Sequence, residues 1–116
     1  MVCDGIGGLS KGEEASAYVV RQVSNWFMSE GYKLSLQKQK RRLQQLCYQI
    51  HEELKKYGEE KGIRLGTTMT CVLIDTKNVV WAHYGDCRLY LLRKRKIQIL
   101  TEEHQEAGKL VRALGV

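Results

Sequence analysis

"GTTMTCVLIDTKNVVWAHYGDCRLYLLRKRKIQIL", residues 66–100, alternates apolar and polar side chains with a period of two. Four runs carry the pattern: "TTMTCVLID" (67–75), "NVVWAHYG" (78–85), "RLYLLR" (88–93) and "KIQIL" (96–100). Their β-branched and aromatic content predicts strands. The connections "DTKN", "GDC" and "KRK" are too short for a crossover helix, which predicts an antiparallel hairpin at each. "RKRK" (Arg93–Lys96) then falls at the tip of the last hairpin, where charge keeps a sheet edge from pairing with a neighbour.

Upstream of Gly66 the apolar period becomes three and four. Ser10 and Glu13 have the S-x-x-E spacing of a capping box and predict a helix start. Ala15, Val19, Val23, Trp26 and Phe27 form its apolar stripe, and Gly31 is its stop. A second helix is predicted from Leu36 to Lys61, with Leu43, Leu46, Cys47, Ile50, Leu54 and Tyr57 on one face and Gly62 closing it. The tail "EEHQEAGKLVRALGV" (102–116) predicts a short helix through Leu110, Val111 and Leu114, and "MVC" the end of a strand. Helices followed by antiparallel strands make an α+β chain.

The 116 residues suit one domain, and 43% hydrophobic with 28% charged residues is a globular balance. No apolar run approaches a membrane span, and "MVCDGIGG" lacks the basic and then apolar regions of a signal peptide, so no membrane partner and a cytoplasmic location are expected. Cys3, Cys47, Cys71 and Cys87 are scattered without metal-ligand spacing, which reads as free thiols of an intracellular chain. The net charge of +6 favours an acidic partner. Its clusters, Lys33 to Arg42 and Arg93 to Lys96, lack interleaved aromatic residues and read as solvated faces, so no nucleic acid is expected.

"VCDGIGGLSKGE" (2–13) concentrates Asp and Gly where backbone must approach something charged. It is not a phosphate-binding P-loop, since its Lys precedes a Gly with no Ser or Thr after it. Nor is it a dinucleotide fingerprint, because Ser10 stands in place of the third Gly. Two readings remain from the residues: a plain Asp-Gly turn, or a carboxylate and turned carbonyls that hold a hard divalent cation.

Three further stretches bear on that choice: "GTTMTCVLID", "AHYGDCRLYLLR" and "ILTEEHQ", in that order. With "DGIGG" they resemble the PPM-type, metal-dependent protein serine/threonine phosphatases of the type 2C class, above all the bacterial ones. The family pattern reads D-G-M-G-G, G-T-T, G-D-S-R and T-x-D-H-S, and this chain has Ile6, Cys87, Glu103 and Gln105 at the differing places. The resemblance spans residues 2–115 and implies part of an α-β-β-α sandwich, with antiparallel sheets and flanking helices. It implies hydrolysis of phosphoserine and phosphothreonine in protein substrates by two Mn²⁺ or Mg²⁺ ions. Asp4 is then the carboxylate bridging the two ions, Gly5 a carbonyl ligand, and Asp86 a ligand of a third, weaker ion. A serine/threonine kinase is the counterpart that family habit implies.

The family also carries an upstream strand with an Arg and an N-E-D motif, and downstream S-D-G and D-N motifs that supply further metal aspartates. Residues 1–116 contain only Asp4, Asp75 and Asp86, so the chain is expected to be a partial phosphatase domain. With few carboxylates to offset them, two dications about 4 Å apart repel strongly, which predicts weak metal binding and no useful activity for the isolated chain. Self-association through exposed sheet edges is expected as well. The alternative is a non-catalytic phosphoprotein-binding or regulatory module of the same fold.

Overall fold

The computed structural model describes residues 1–7, 9–106, 109, 110 and 112–116, with the backbone alone at 105, 106, 109 and 110. Two helices, α1 (Gly12–Ser29) and α2 (Leu36–Lys61), are joined through a 3-10 turn at Gly31–Lys33. Four strands follow, β1 (Met69–Ile74), β2 (Val79–Tyr84), β3 (Tyr90–Arg93) and β4 (Lys96–Ile99), and then two short ones, β5 (Gln105–Glu106) and β6 (Lys109–Leu110).

The predicted stripes are the core. Ala15, Val19, Val23 and Trp26 of α1 pack with Leu43, Cys47, Ile50 and Leu54 of α2 and with Met69, Cys71 and Leu73 of β1. Each fully buried aliphatic side chain contributes about 1.5–3 kcal/mol, so this one face holds the helices to the sheet. Helix α2 has the predicted limits. Ser35 Oγ accepts from Lys38 N at 3.4 Å, and Gly62 closes the helix in the left-handed region at φ 64°. Helix α1 ends at Ser29, and Gly31 packs on the Trp26 ring, whose atoms would lie 3.1–3.2 Å from a Cβ there.

The capping box does not form. Helix α1 starts at Gly12 with Lys11 as its cap and no side-chain cap bond. Ser10 N donates instead to Arg64 O at 3.0 Å, so the loop is tied to the segment entering the sheet rather than to its own helix.

Strands β1 and β2 pair antiparallel from Met69 with Tyr84 to Ile74 with Val79. Their turn is held by Asp75, whose Oδ1 accepts from Lys77 N at 2.7 Å and Asn78 N at 2.6 Å, as expected for an Asp capping its own turn. Strands β3 and β4 form the second hairpin, with Arg93 opposite Lys96 and Lys94–Arg95 at the tip. The predicted hairpin at "GDC" is absent: β2 and β3 belong to different sheets. Gly85, at φ 115°, turns the chain out of the first sheet, and its carbonyl accepts from His104 N at 2.8 Å. The segment after β4 thus meets the end of β2 at His83 and Gly85, where β3 was expected to pair.

The tail is not helical where it is described. Gln105–Glu106 pairs antiparallel with Lys109–Leu110, and Leu114 exchanges two backbone hydrogen bonds with Thr67, at 3.0 and 2.9 Å. A sheet edge therefore captures backbone that an isolated apolar spacing assigned to a helix; Val111 lies outside the described residues. On the opposite edge Val2 pairs with Thr70 and Gly5 with Thr67, so "MVC" is strand-like as expected.

Candidate metal centre

Asp4 and Gly5 sit where the N-terminal segment leaves its pairing with Thr67–Thr70. Asp4 O accepts from Thr68 N at 2.9 Å, and Asp4 N donates to Thr68 Oγ1 at 3.0 Å. Ile6 N donates to Gly66 O at 3.0 Å. With the main chain held on both sides, the Asp4 carboxylate projects from a fixed backbone into solvent, and the residue is exposed.

Gly5 is required by packing. A Cβ there would lie 2.4 Å from the carbonyl carbon and oxygen of Gly12, so the loop returns onto its own start as helix α1 begins. Gly12 has the reciprocal constraint, with Ile6 O at 2.9 Å from where its Cβ would be. Gly7 has open space around it, and Gly8 lies outside the described residues.

The second motif, Gly85–Arg88, reaches the same end of the sheet through one side chain. Thr68 is 3% exposed, and its methyl would be 2.6 Å from a Cβ on Gly85. Its Oγ1, already accepting from Asp4 N, lies 3.4 Å from Cys87 Sγ. Asp4 and the partly exposed Asp86 are thus carried by loops that share Thr68. A Thr-Thr pair opening a strand after a glycine ordinarily makes local hydroxyl-to-backbone bonds. Thr67 has one, Oγ1 to Thr68 O at 2.9 Å, but the Thr68 partner is 64 residues away in sequence. Pairing Val2 with Thr70 sets Asp4 opposite Thr68, and a three-residue strand fragment carries too little pattern for that register to be read.

Arg88, His83 and His104 have structural partners. Arg88 ion-pairs with Glu103 on the surface and its Nη1 donates to Tyr90 Oη at 3.4 Å. His83 bonds Thr70 Oγ1 through Nδ1 at 2.9 Å and Glu102 O through Nε2 at 3.0 Å, so Nδ1 accepts and Nε2 carries the proton. The His104 ring lies 5.1 Å from it, tilted by 40°, with Nδ1 accepting from Gly85 N at 3.1 Å. The cysteines are free; burial raises the Cys3 thiol to about 11 and Cys47 to about 12, which keeps both protonated and unsuited as nucleophiles.

Among the described residues, no three Asp, Glu, His or Cys side chains gather as ligands for one ion. Asp4 and the Gly5 carbonyl offer oxygen donors of the kind Mg²⁺ and Mn²⁺ take, but a near-octahedral pair of dications needs several carboxylates. The donors present do not complete such a centre.

The protein phosphatase 2C family model matches residues 1–109. A serine/threonine phosphatase of Listeria monocytogenes is 32% identical over 114 residues, covering 97% of this chain and 45% of that protein. The phosphatase PhpP of Streptococcus pneumoniae is 28% identical over 129 residues, covering 97% and 46%. The crystal structure of the serine/threonine phosphatase Stp1 from Staphylococcus aureus superimposes with a TM-score of 0.81 at 33% identity, over 88% of this chain and 41% of that one. The chain therefore spans less than half the length of the relatives it matches. No helix among the described residues is long and apolar enough to cross a membrane. With the family model spanning nearly all of its residues and the same folding pattern in a solved phosphatase, the chain belongs to the protein phosphatase 2C family.

Proposed function

We propose that this chain forms one wall of a metal-dependent protein serine/threonine phosphatase centre, with Asp4 and the Gly5 carbonyl as ligands of Mn²⁺ or Mg²⁺ and Asp86 as ligand of a further ion. The observation that carries this reading is the Thr68 side chain, which fixes the Asp4 backbone and meets the Gly85–Cys87 loop at one end of the sheet. Divalent ions held in such a centre would act as Lewis acids toward a phosphoryl group. This chain's own part is to hold Asp4 through main-chain bonds, with open space beside Gly7. Phosphoproteins are the substrate class, and the activity belongs to a domain completed by carboxylates beyond these residues.

The test joins the chain in one polypeptide to the portion of the Listeria monocytogenes phosphatase outside the matched stretch. Mn²⁺-dependent hydrolysis of a phosphothreonine peptide is expected, with at least a hundredfold loss on Asp4→Asn, about 3 kcal/mol of lost transition-state stabilisation. A folded fusion whose Asp4→Asn variant is as active as its parent rejects the ligand role.

A further inference from the structure

Cations on a convex surface spread apart into water, whereas cations that line one cavity repel each other unless an anion offsets them. A cavity of about 310 Å³ runs along β2 and is lined by five successive residues of that strand, Val80–Tyr84. Successive residues point to opposite faces, so they share a cavity at the strand's edge, and the edge in question is the one that β1 does not occupy. The polar lining converges from four places: Lys40 and Gln44 of α2, His83 of β2, His104 after β4, and Arg112 of the tail. Among the described residues no carboxylate lines the cavity, and neither Lys40 nor Arg112 has an ion pair. His104 Nδ1 accepts from Gly85 N, so Nε2 carries the proton, and among the described residues that proton has no acceptor. After burial, His83 and Arg112 are what hold the His104 ring below the ordinary histidine value, with Glu102 opposing them. That order of causes is the mark of an excess of positive charge around the ring.

We infer that this cavity is an oxyanion site, shaped for a phosphoryl group and separate from the metal ligands. Arg112 offers a planar fork of N–H donors, Lys40 a compact charge, and Gln44 and His104 neutral donors. A tetrahedral oxyanion takes donors from several directions, and charge-assisted bonds to it are the strong ones. The volume lies at the low end of ligand pockets, which suits a small anion. Free phosphate and a phosphorylated side chain both carry this chemistry. The second source rests on the phosphatase reading: His104 bonds Gly85, the neighbour of Asp86, so the cavity adjoins the loop that carries that aspartate.

The experiment titrates inorganic phosphate, and separately a phosphothreonine peptide, into the intact 116-residue chain by calorimetry, with a chelator present so that no metal contributes. Saturable binding at millimolar concentration or below is expected. Lys40→Gln and Arg112→Gln should each weaken it about tenfold, the loss of one charge-assisted bond. Lys38→Gln removes the same charge from the same helix outside the cavity and should leave binding unchanged. Lys40 and Arg112 are exposed, and circular dichroism of each variant verifies that it keeps its fold. Equal affinity for the two probes assigns the site to free phosphate, and tenfold tighter binding of the peptide assigns it to a phosphorylated side chain. No saturable binding of either probe, binding indifferent to Lys40→Gln and Arg112→Gln, or an equal loss in Lys38→Gln would each overturn the inference. The chelated titration reads the cavity and Mn²⁺-dependent hydrolysis by the fusion reads the metal ligands, so either can fail alone.

Discussion

Gly5 shows how tightly the Asp4–Gly5 loop is determined at the level of single atoms. Replacing it with Ala drives a methyl group into the Gly12 carbonyl, which is backbone and cannot step aside. A loss of about 2 kcal/mol is expected for Gly5→Ala in urea unfolding, against a negligible change for Gly7→Ala, whose surroundings are open. His104 carries a pH dependence. Burial, then the neighbouring His83 and Arg112, hold it below the ordinary histidine value, with Glu102 opposing them. A folded-state value below the unfolded one contributes stability that is complete above the unfolded value, about 6.5, and is lost as pH falls through the folded one. Chemical denaturation across this range should show stability declining toward acid, with a shallower slope in His104→Asn. Asp4 became a candidate ligand in the sequence only through the resemblance carried by four ordered motifs, because an Asp-Gly-rich loop by itself is equally a plain turn. Thr68 did not, because its role depends on a strand register that only the folded sheet reveals.

At the scale of elements, the helices were readable and the connections less so. Helix α2 has a 3.6-residue stripe, a serine cap and a glycine stop that agree with one another, and its limits are those predicted. Helix α1 has the stripe, but Ser10 is drawn into a bond with Arg64, a tertiary contact that local spacing does not encode. The "GDC" connection is as short as a hairpin loop, yet Gly85 packs on Thr68 and redirects the chain. The β3–β4 tip contains a local conflict. Lys94 and Arg95 have φ of 50° and 61°, the left-handed region that a two-residue hairpin turn demands and that Asn-Gly accommodates far better. Lys94→Asn with Arg95→Gly should stabilise the hairpin by about 1 kcal/mol, seen as a higher thermal midpoint. An unchanged or lower midpoint would show that the cationic pair is not strained there.

The molecule as a whole is a helix layer on a sheet, with Asp4 and Asp86 on loops at one end of that sheet. The fold class and family could be read from four ordered motifs, because those motifs lie on turns whose order the topology preserves. What the motifs could not show is that Asp4 and Asp86 lie on loops meeting a common threonine. The donor deficit extends from composition to structure: three Asp residues in the chain, one of them bound in the Asp75 turn, leave too few carboxylates for two ions. The direct measurement is a calorimetric titration of Mn²⁺ into the isolated 116-residue chain. Uptake weaker than about 1 mM is expected, since one carboxylate, one carbonyl and water cannot compensate two adjacent dications. Saturable binding of two ions at micromolar concentration, abolished by Asp4→Ala, would contradict it.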